Sequence, residues 1–258
     1  MENFANFIVH HIETTKIHGI QGWLNQLQAY RWGTNSGIER YPEGILTSKK
    51  FLRDSQKILD ILNNDNIWKR HCDEIRKWGR MIREIPFPLA VEYKKSVRFL
   101  LTNNSNLNLN PSTFPICGKR IAMASKIFYF SDPLNWTIYD SRVGYAIHQL
   151  IFEYAKTLHL PPTSVFPGIP LCLPESKTTR RNPVFPISRC FGFEINSMRS
   201  FIWASHLHRL LANKLNRTSM DKPTYCFSTN PQWELPHVEM VFFVIGDRKW
   251  VNVPDVVF

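Results

Sequence analysis

Apolar residues recur at helical spacing through most of this chain, and clusters of proline and asparagine interrupt them. Ile20, Trp23, Leu24 and Leu27 share one face of a 3.6-residue period, as do Phe51, Ile58, Leu59 and Leu62. Thr47 or Ser48 is the expected N-cap of the second of these helices. Between the two, residues 32–37 (Trp-Gly-Thr-Asn-Ser-Gly) read as a turn-rich loop. A third helix is expected from Ile67 to Ile85, stopped by Pro86 and Pro88, and a fourth from Leu89 to Leu101. Beyond an asparagine-rich break, the apolar pattern returns over Ile121–Phe130. Trp136–Tyr139 reads as a short extended run, and Asp140 opens a helix reaching to about Leu158. Further helices are expected over Ser197–Leu215 and from about Pro236. No βαβ rhythm and no repeat appears. The fold class is therefore all-α. The expected divisions are an N-terminal helical region (1–110), a lobe at 111–160, a proline-rich basic loop (161–196) and a C-terminal helical region (197–258).

Of the 258 residues, 43 % are hydrophobic, enough for a globular core. No stretch approaches the roughly 18 apolar residues of a membrane span, and the N-terminus lacks a basic-then-apolar leader. A cytoplasmic chain without membrane association is the expectation. The five cysteines are odd in number and far apart, with no CxxC. His10–His11 and His206/His208 are spaced so that the side chains diverge on a helix. Neither pattern builds a metal site, so no metal or organic cofactor is expected.

Thirty-two Lys+Arg against 21 Asp+Glu leave a formal charge of +11. Such a surplus points to an anionic partner, most commonly nucleic acid. The cations cluster at Lys49–Arg53, Arg76–Arg83, Lys94–Arg98, Lys119–Arg120 and Lys177–Arg181, where solvated helix faces are the plainer explanation for many of them.

Residues 115–143 carry the chemistry. A glycine turn (Gly118) precedes the basic pair Lys119–Arg120. An apolar helix with Lys126 follows, then a stop at Ser131–Asp132–Pro133, and then Asp140 at a helix start. Backbone N–H groups at such a turn suit a phosphate. Asp140 is a good helix cap whether or not it has a second role. Lys126 is a salt-bridge partner, or a buried amine with a depressed pKa. Trp136 and Tyr139 flank Asp140, either as core residues or as surfaces for a stacked base. Arg31, Trp32 and Asn35 on the first loop offer a further wall. Arg142 is a phosphate contact or an ordinary surface cation.

These residues resemble the helix-hairpin-helix DNA glycosylases. Gly118-Lys119-Arg120-Ile121-Ala122 is similar to the end of the family's hairpin. Residues 137–143, Thr-Ile-Tyr-Asp-Ser-Arg-Val, are similar to its Pro-(Ile/Val)-x-Asp-x-x-Val motif, with Thr137 in place of proline. The resemblance covers 115–143 only. It implies a two-lobed helical fold with a helix-hairpin-helix element and a cleft between the N-terminal helices and the lobe at 111–160. It also implies a monomer that binds double-stranded DNA with a modified base and flips the target nucleotide out. Asp140 would be the catalytic carboxylate and Lys126 a candidate amine. Trp136, Tyr139, Trp32 and Asn35 would bind the base, and Gly118, Lys119, Arg120 and Arg142 the backbone. Arg120 falls where bifunctional members carry their Schiff-base lysine, and a guanidinium cannot act as that nucleophile. The implied activity is thus hydrolysis of the N-glycosidic bond, leaving an abasic site. The two natural substrates are glucosylated hydroxymethylcytosine of phage DNA, as in similar phage-defence glycosylases, and 8-oxoguanine. The rival is a non-catalytic DNA-binding module in which Asp140 only caps its helix.

Overall fold

In the computed structural model, the structure describes residues 1–34, 37–55, 58–102, 121–165, 197–218 and 221–247. Asn35, Gly118, Lys119, Arg120, Lys177, Arg180 and Arg181 lie outside the described residues, and with them the expected hairpin turn and most of the proline-rich loop. The described chain is mainly helical. Its elements are α1 (Glu2–Thr14), α2 (Trp23–Gln28), β1 (Arg31–Thr34), β2 (Gly37–Arg40), α3 (Tyr41–Ser55), α4 (Ile58–Asn63), α5 (Asp65–Trp78), α6 (Phe87–Thr102), α7 (Ile121–Ser131), α8 (Ser141–Leu158), α9 (Pro162–Val165), α10 (Ser197–Arg217) and α11 (Leu235–Asp247). No described helix is long and apolar enough to cross a membrane.

Three expectations about local structure are corrected. The loop at 32–37 is part of an antiparallel hairpin in which Trp32 faces Glu39 and Thr34 faces Gly37. Gly37, at φ 145°, takes a backbone conformation that other residues resist. The helix expected to follow an N-cap at Thr47 or Ser48 starts at Tyr41, about seven residues earlier. Pro42 fits its first turn, and the Glu43 carboxylate reaches back to accept from the Arg40 N–H at 3.0 Å. Ser48 is therefore inside α3 and not at its cap. Its hydroxyl lies 2.8 Å from the Gly44 carbonyl and 2.9 Å from the Tyr129 hydroxyl.

The third correction matters most for the site. The helix expected to reach Ile85 ends at Trp78. Arg80 N–H donates to the Lys77 carbonyl and Met81 N–H to the Arg76 carbonyl, closing a Schellman turn with Arg80 in the left-handed region (φ 52°). Glycine usually takes that left-handed position, yet here Gly79 stands one residue before it, in a right-handed conformation. Packing gives the reason. A Cβ on Gly79 would sit 3.1 Å from Lys126 Cδ and 3.3 Å from the Ile75 carbonyl oxygen. The glycine gives room for the Lys126 stem, and Arg80 carries the backbone penalty of roughly 1–2 kcal/mol.

One continuous hydrophobic core runs from Phe4 to Ile245 and includes Trp23, Trp68, Tyr93, Phe128, Phe201 and Phe242. The apolar α11 is central to it and packs on α8, α10, α2 and α3. A Cβ on Gly246 would fall 1.9 Å from the Arg142 carbonyl oxygen, so only glycine lets the end of α11 press onto the start of α8. That close approach brings α11 side chains beside Asp140.

Candidate active site

The site is assembled where the first turn of α8 meets α7, α11 and the β1 hairpin. Asp140 N-caps α8, and its two carboxylate oxygens have different partners. Oδ1 accepts from the Arg142 N–H at 2.9 Å and the Val143 N–H at 3.3 Å. Oδ2 lies 3.8 Å from Lys126 Nζ and 3.9 Å from an Arg142 guanidinium nitrogen. Capping occupies one oxygen, and the other is turned towards two cations.

Both members of the Lys126–Asp140 pair are buried, at 3 % and 8 % exposure. Burial alone would raise the Asp140 pKa. Lys126, Arg142 and the two backbone N–H groups outweigh it, and the carboxyl is held below its ordinary value. The converse holds for Lys126. Desolvation pushes its ammonium pKa down, Asp140 and Glu239 resist, and Arg142 adds to the fall. Beyond Asp140, Lys126 Nζ also donates to the Ala122 carbonyl at 3.1 Å. Asp140 is thus an ionised carboxylate in a desolvated place, beside an amine that gives up its proton more readily than usual.

Aromatic rings gather around Arg142, which faces Asp140. Trp32 stacks on Trp78 with centroids 5.3 Å apart, and its edge meets Phe243 at 5.3 Å. Its indole N–H donates to the Trp78 carbonyl. Tyr30 meets Phe243 edge-on, and Trp78 meets Phe130. The Arg142 guanidinium lies 4.2 Å from the Phe243 ring centre and 5.3 Å from that of Trp32. It also pairs with Asp247 at 2.5 Å. A phosphate at Arg142 would have to share or displace that carboxylate.

Trp136 and Tyr139 are not part of this group. Trp136 stacks on Phe201 of α10 at 5.7 Å, and Tyr139 is fully buried with its N–H on the Ser125 hydroxyl. Of the aromatic residues singled out from sequence, Trp32 is brought against Arg142, which faces Asp140.

Two residues of the site escaped the sequence reading. Glu239, on α11, is 3 % exposed and within electrostatic reach of Asp140, Lys126 and Arg142. Tyr30 is also buried there, its pKa raised by burial and by Glu239. The visible signal for Glu239 was a lone carboxylate inside the run Val238–Ile245, where every other residue except Gly246 beyond it is large and apolar.

A second buried cluster lies at the N-terminal turn of α11. Cys226, Glu234 and His237 place one ligand atom each within 4.8 Å of one another. Each is already engaged. Glu234 accepts from the Phe227 and Ser228 N–H groups at 2.7 and 2.8 Å. His237 Nδ1 accepts the Glu234 N–H at 2.9 Å, and Nε2 donates to the Tyr225 carbonyl at 2.8 Å. Cys226 Sγ lies 3.1 and 3.2 Å from the Pro223 and Gln232 carbonyls. A metal would have to break this backbone network, so the donor set fits a structural knot and not a metal centre.

No family model, curated protein or solved structure matches this chain.

Proposed function

We propose that this protein is a DNA glycosylase that cleaves the N-glycosidic bond of a modified base flipped from duplex DNA. The observation that carries this reading is the buried Asp140, whose Oδ2 is left over from helix capping and stands beside Lys126 and Arg142. Breaking a glycosidic bond builds positive charge at the anomeric carbon. An ionised, preorganised carboxylate in a desolvated pocket stabilises that charge.

The exterior agrees. Ile82 follows the Schellman turn, is 95 % exposed and stands between Arg80 and Arg83. An apolar side chain offered to solvent among cations suits insertion between base pairs, with the guanidinium groups on the phosphates. Arg80 also packs over Gly33 of the hairpin, which links this loop to the site.

Hydrolysis to an abasic site is the primary reading. A lyase variant is favoured by one observation, the desolvated Lys126 amine 3.8 Å from Asp140, because an amine that gives up its proton more readily than usual can attack the sugar in place of water. Either modified cytosine of phage DNA or 8-oxoguanine is the base. The test is incubation with phage DNA containing glucosylated hydroxymethylcytosine and with an 8-oxoguanine duplex, reading released base by mass spectrometry. Release from one of them supports the reading, and release from neither contradicts it. Borohydride trapping of a protein–DNA adduct, lost in Lys126→Met, would identify the lyase route.

A further inference from the structure

Glu239 is the residue the site does not otherwise explain. It sits in the second turn of the apolar α11, which packs against α8, and it is buried at 3 % exposure. The titratable and charged groups around it are Lys126 and Tyr129 of α7, Asp140 and Arg142 of α8, and Tyr30 after α2. Among the described residues, none of them hydrogen-bonds to its carboxyl, and the Tyr30 hydroxyl is likewise without a hydrogen-bond partner. The Glu239 carboxyl oxygens are not among the fully buried side-chain atoms that lack a partner, so a carboxyl without a protein partner here is open to one brought by a ligand. The contrast with Asp140 is chemical. Asp140 is surrounded by cations and backbone N–H groups that hold it ionised, whereas Glu239 has none of those hydrogen bonds.

We propose that Glu239 is a second catalytic carboxyl of this site, the acid that protonates the departing base while Asp140 stabilises the sugar. This proposal rests on the glycosylase reading. As the C1′–N bond breaks, its electron pair goes to the base, and the Glu239 proton goes to a ring nitrogen or exocyclic oxygen of that base. Water adds to C1′ and loses its proton to Asp140, from which it passes to solvent. Glu239 then recovers a proton from solvent, so the sum is one water consumed for one base and one abasic site released. A general acid must keep its proton at the working pH. Burial, with Asp140 adding to it against Lys126 and Arg142, pushes the Glu239 carboxyl up to about 8. The two carboxyls of the site are thereby driven apart, one ionised and one protonated near neutrality.

The test compares single-turnover base release by wild type, Glu239→Gln and Glu239→Asp between pH 5.5 and 9.5. The substrates are phage DNA with glucosylated hydroxymethylcytosine and an 8-oxoguanine duplex. Melting temperature and binding to a duplex with an abasic-site analogue report the fold and the DNA interface. The expected result is a wild-type rate that falls as pH rises through about 8. Glu239→Gln should be about 100-fold slower or more at neutral pH, with that alkaline limb gone and product binding unchanged. Glu239→Asp should recover part of the rate with a displaced limb. If wild type releases base and Glu239→Gln keeps both its rate and its pH profile, the proposal is overturned while the glycosylase reading stands. If wild type releases no base from either DNA, the glycosylase reading falls and this proposal falls with it.

Discussion

Two buried polar clusters meet α11 within its first two turns, and they differ in how their hydrogen bonds are used. At the N-terminal end, Glu234 and His237 are tied to backbone groups of Tyr225, Phe227, Ser228 and Glu234 itself. Every donor and acceptor there closes a turn. Further along the helix, Glu239 makes no hydrogen bond to a described residue, and Asp140 Oδ2 meets its cations only at 3.8 and 3.9 Å. Saturated polar groups hold a fold, and unsaturated ones are available to a ligand. Both clusters are buried and both mix acid with base, so burial and composition alone would not separate them.

Lys126→Met sharpens the contrast most. It leaves the Asp140 carboxylate buried beside a neutral side chain, with about 3–5 kcal/mol lost in stability. Thermal unfolding should show this as the largest drop of any single change in the site. Glu234→Ala probes the other cluster. Two buried backbone N–H groups lose their acceptor, and about 2–4 kcal/mol should go, roughly 5–10 °C in Tm. Base release per folded molecule should be unchanged. Loss of activity with an intact fold would break the comparison and make that cluster functional.

Glu239→Gln has the opposite sign. Because the folded carboxyl is raised from 4.5 to about 8, the native state holds a proton that the unfolded chain has released. Wild-type stability contributed by this group is fully present below about 4.5 and is lost as pH rises through 8. The glutamine variant should therefore equal or exceed wild type in Tm at pH 9 and lose that advantage at pH 5. The smallest effect belongs to Ile82→Ala. An exposed side chain contributes nothing to the core, so Tm should not move, while affinity for duplex DNA should fall about 3- to 10-fold.

Much of the helical framework was legible in the sequence because 3.6-residue periodicity is a local property. Helices α6, α7, α8, α10 and α11 lie where their apolar spacing puts them. Asp140 was legible as a cap because capping depends on the next three residues. The hairpin at Trp32 was not, since its pairing with Glu39 competes with a turn signal in the same six residues. Nor was the end of α5, a Schellman turn at Arg80 preceded by a glycine that gives room to Lys126, 47 positions further on. For the same reason Trp136 and Tyr139, neighbours of Asp140 in sequence, belong to the core, whereas Trp32, Tyr30 and Glu239 reach the site from distant segments.

The central claim is that Asp140 does more than cap α8. Asparagine caps a helix as well as aspartate does, so Asp140→Asn separates the two roles with the helix kept. Wild type and Asp140→Asn should be compared for base release from phage DNA with glucosylated hydroxymethylcytosine and from an 8-oxoguanine duplex. Abasic sites are counted with and without hot alkali. The account predicts a loss on the order of 10³-fold in base release, with DNA binding retained or improved as a negative charge near the phosphates is removed. Base release at the wild-type rate by the asparagine variant, or none by either protein with equal DNA binding, would contradict it and leave Asp140 as a cap alone.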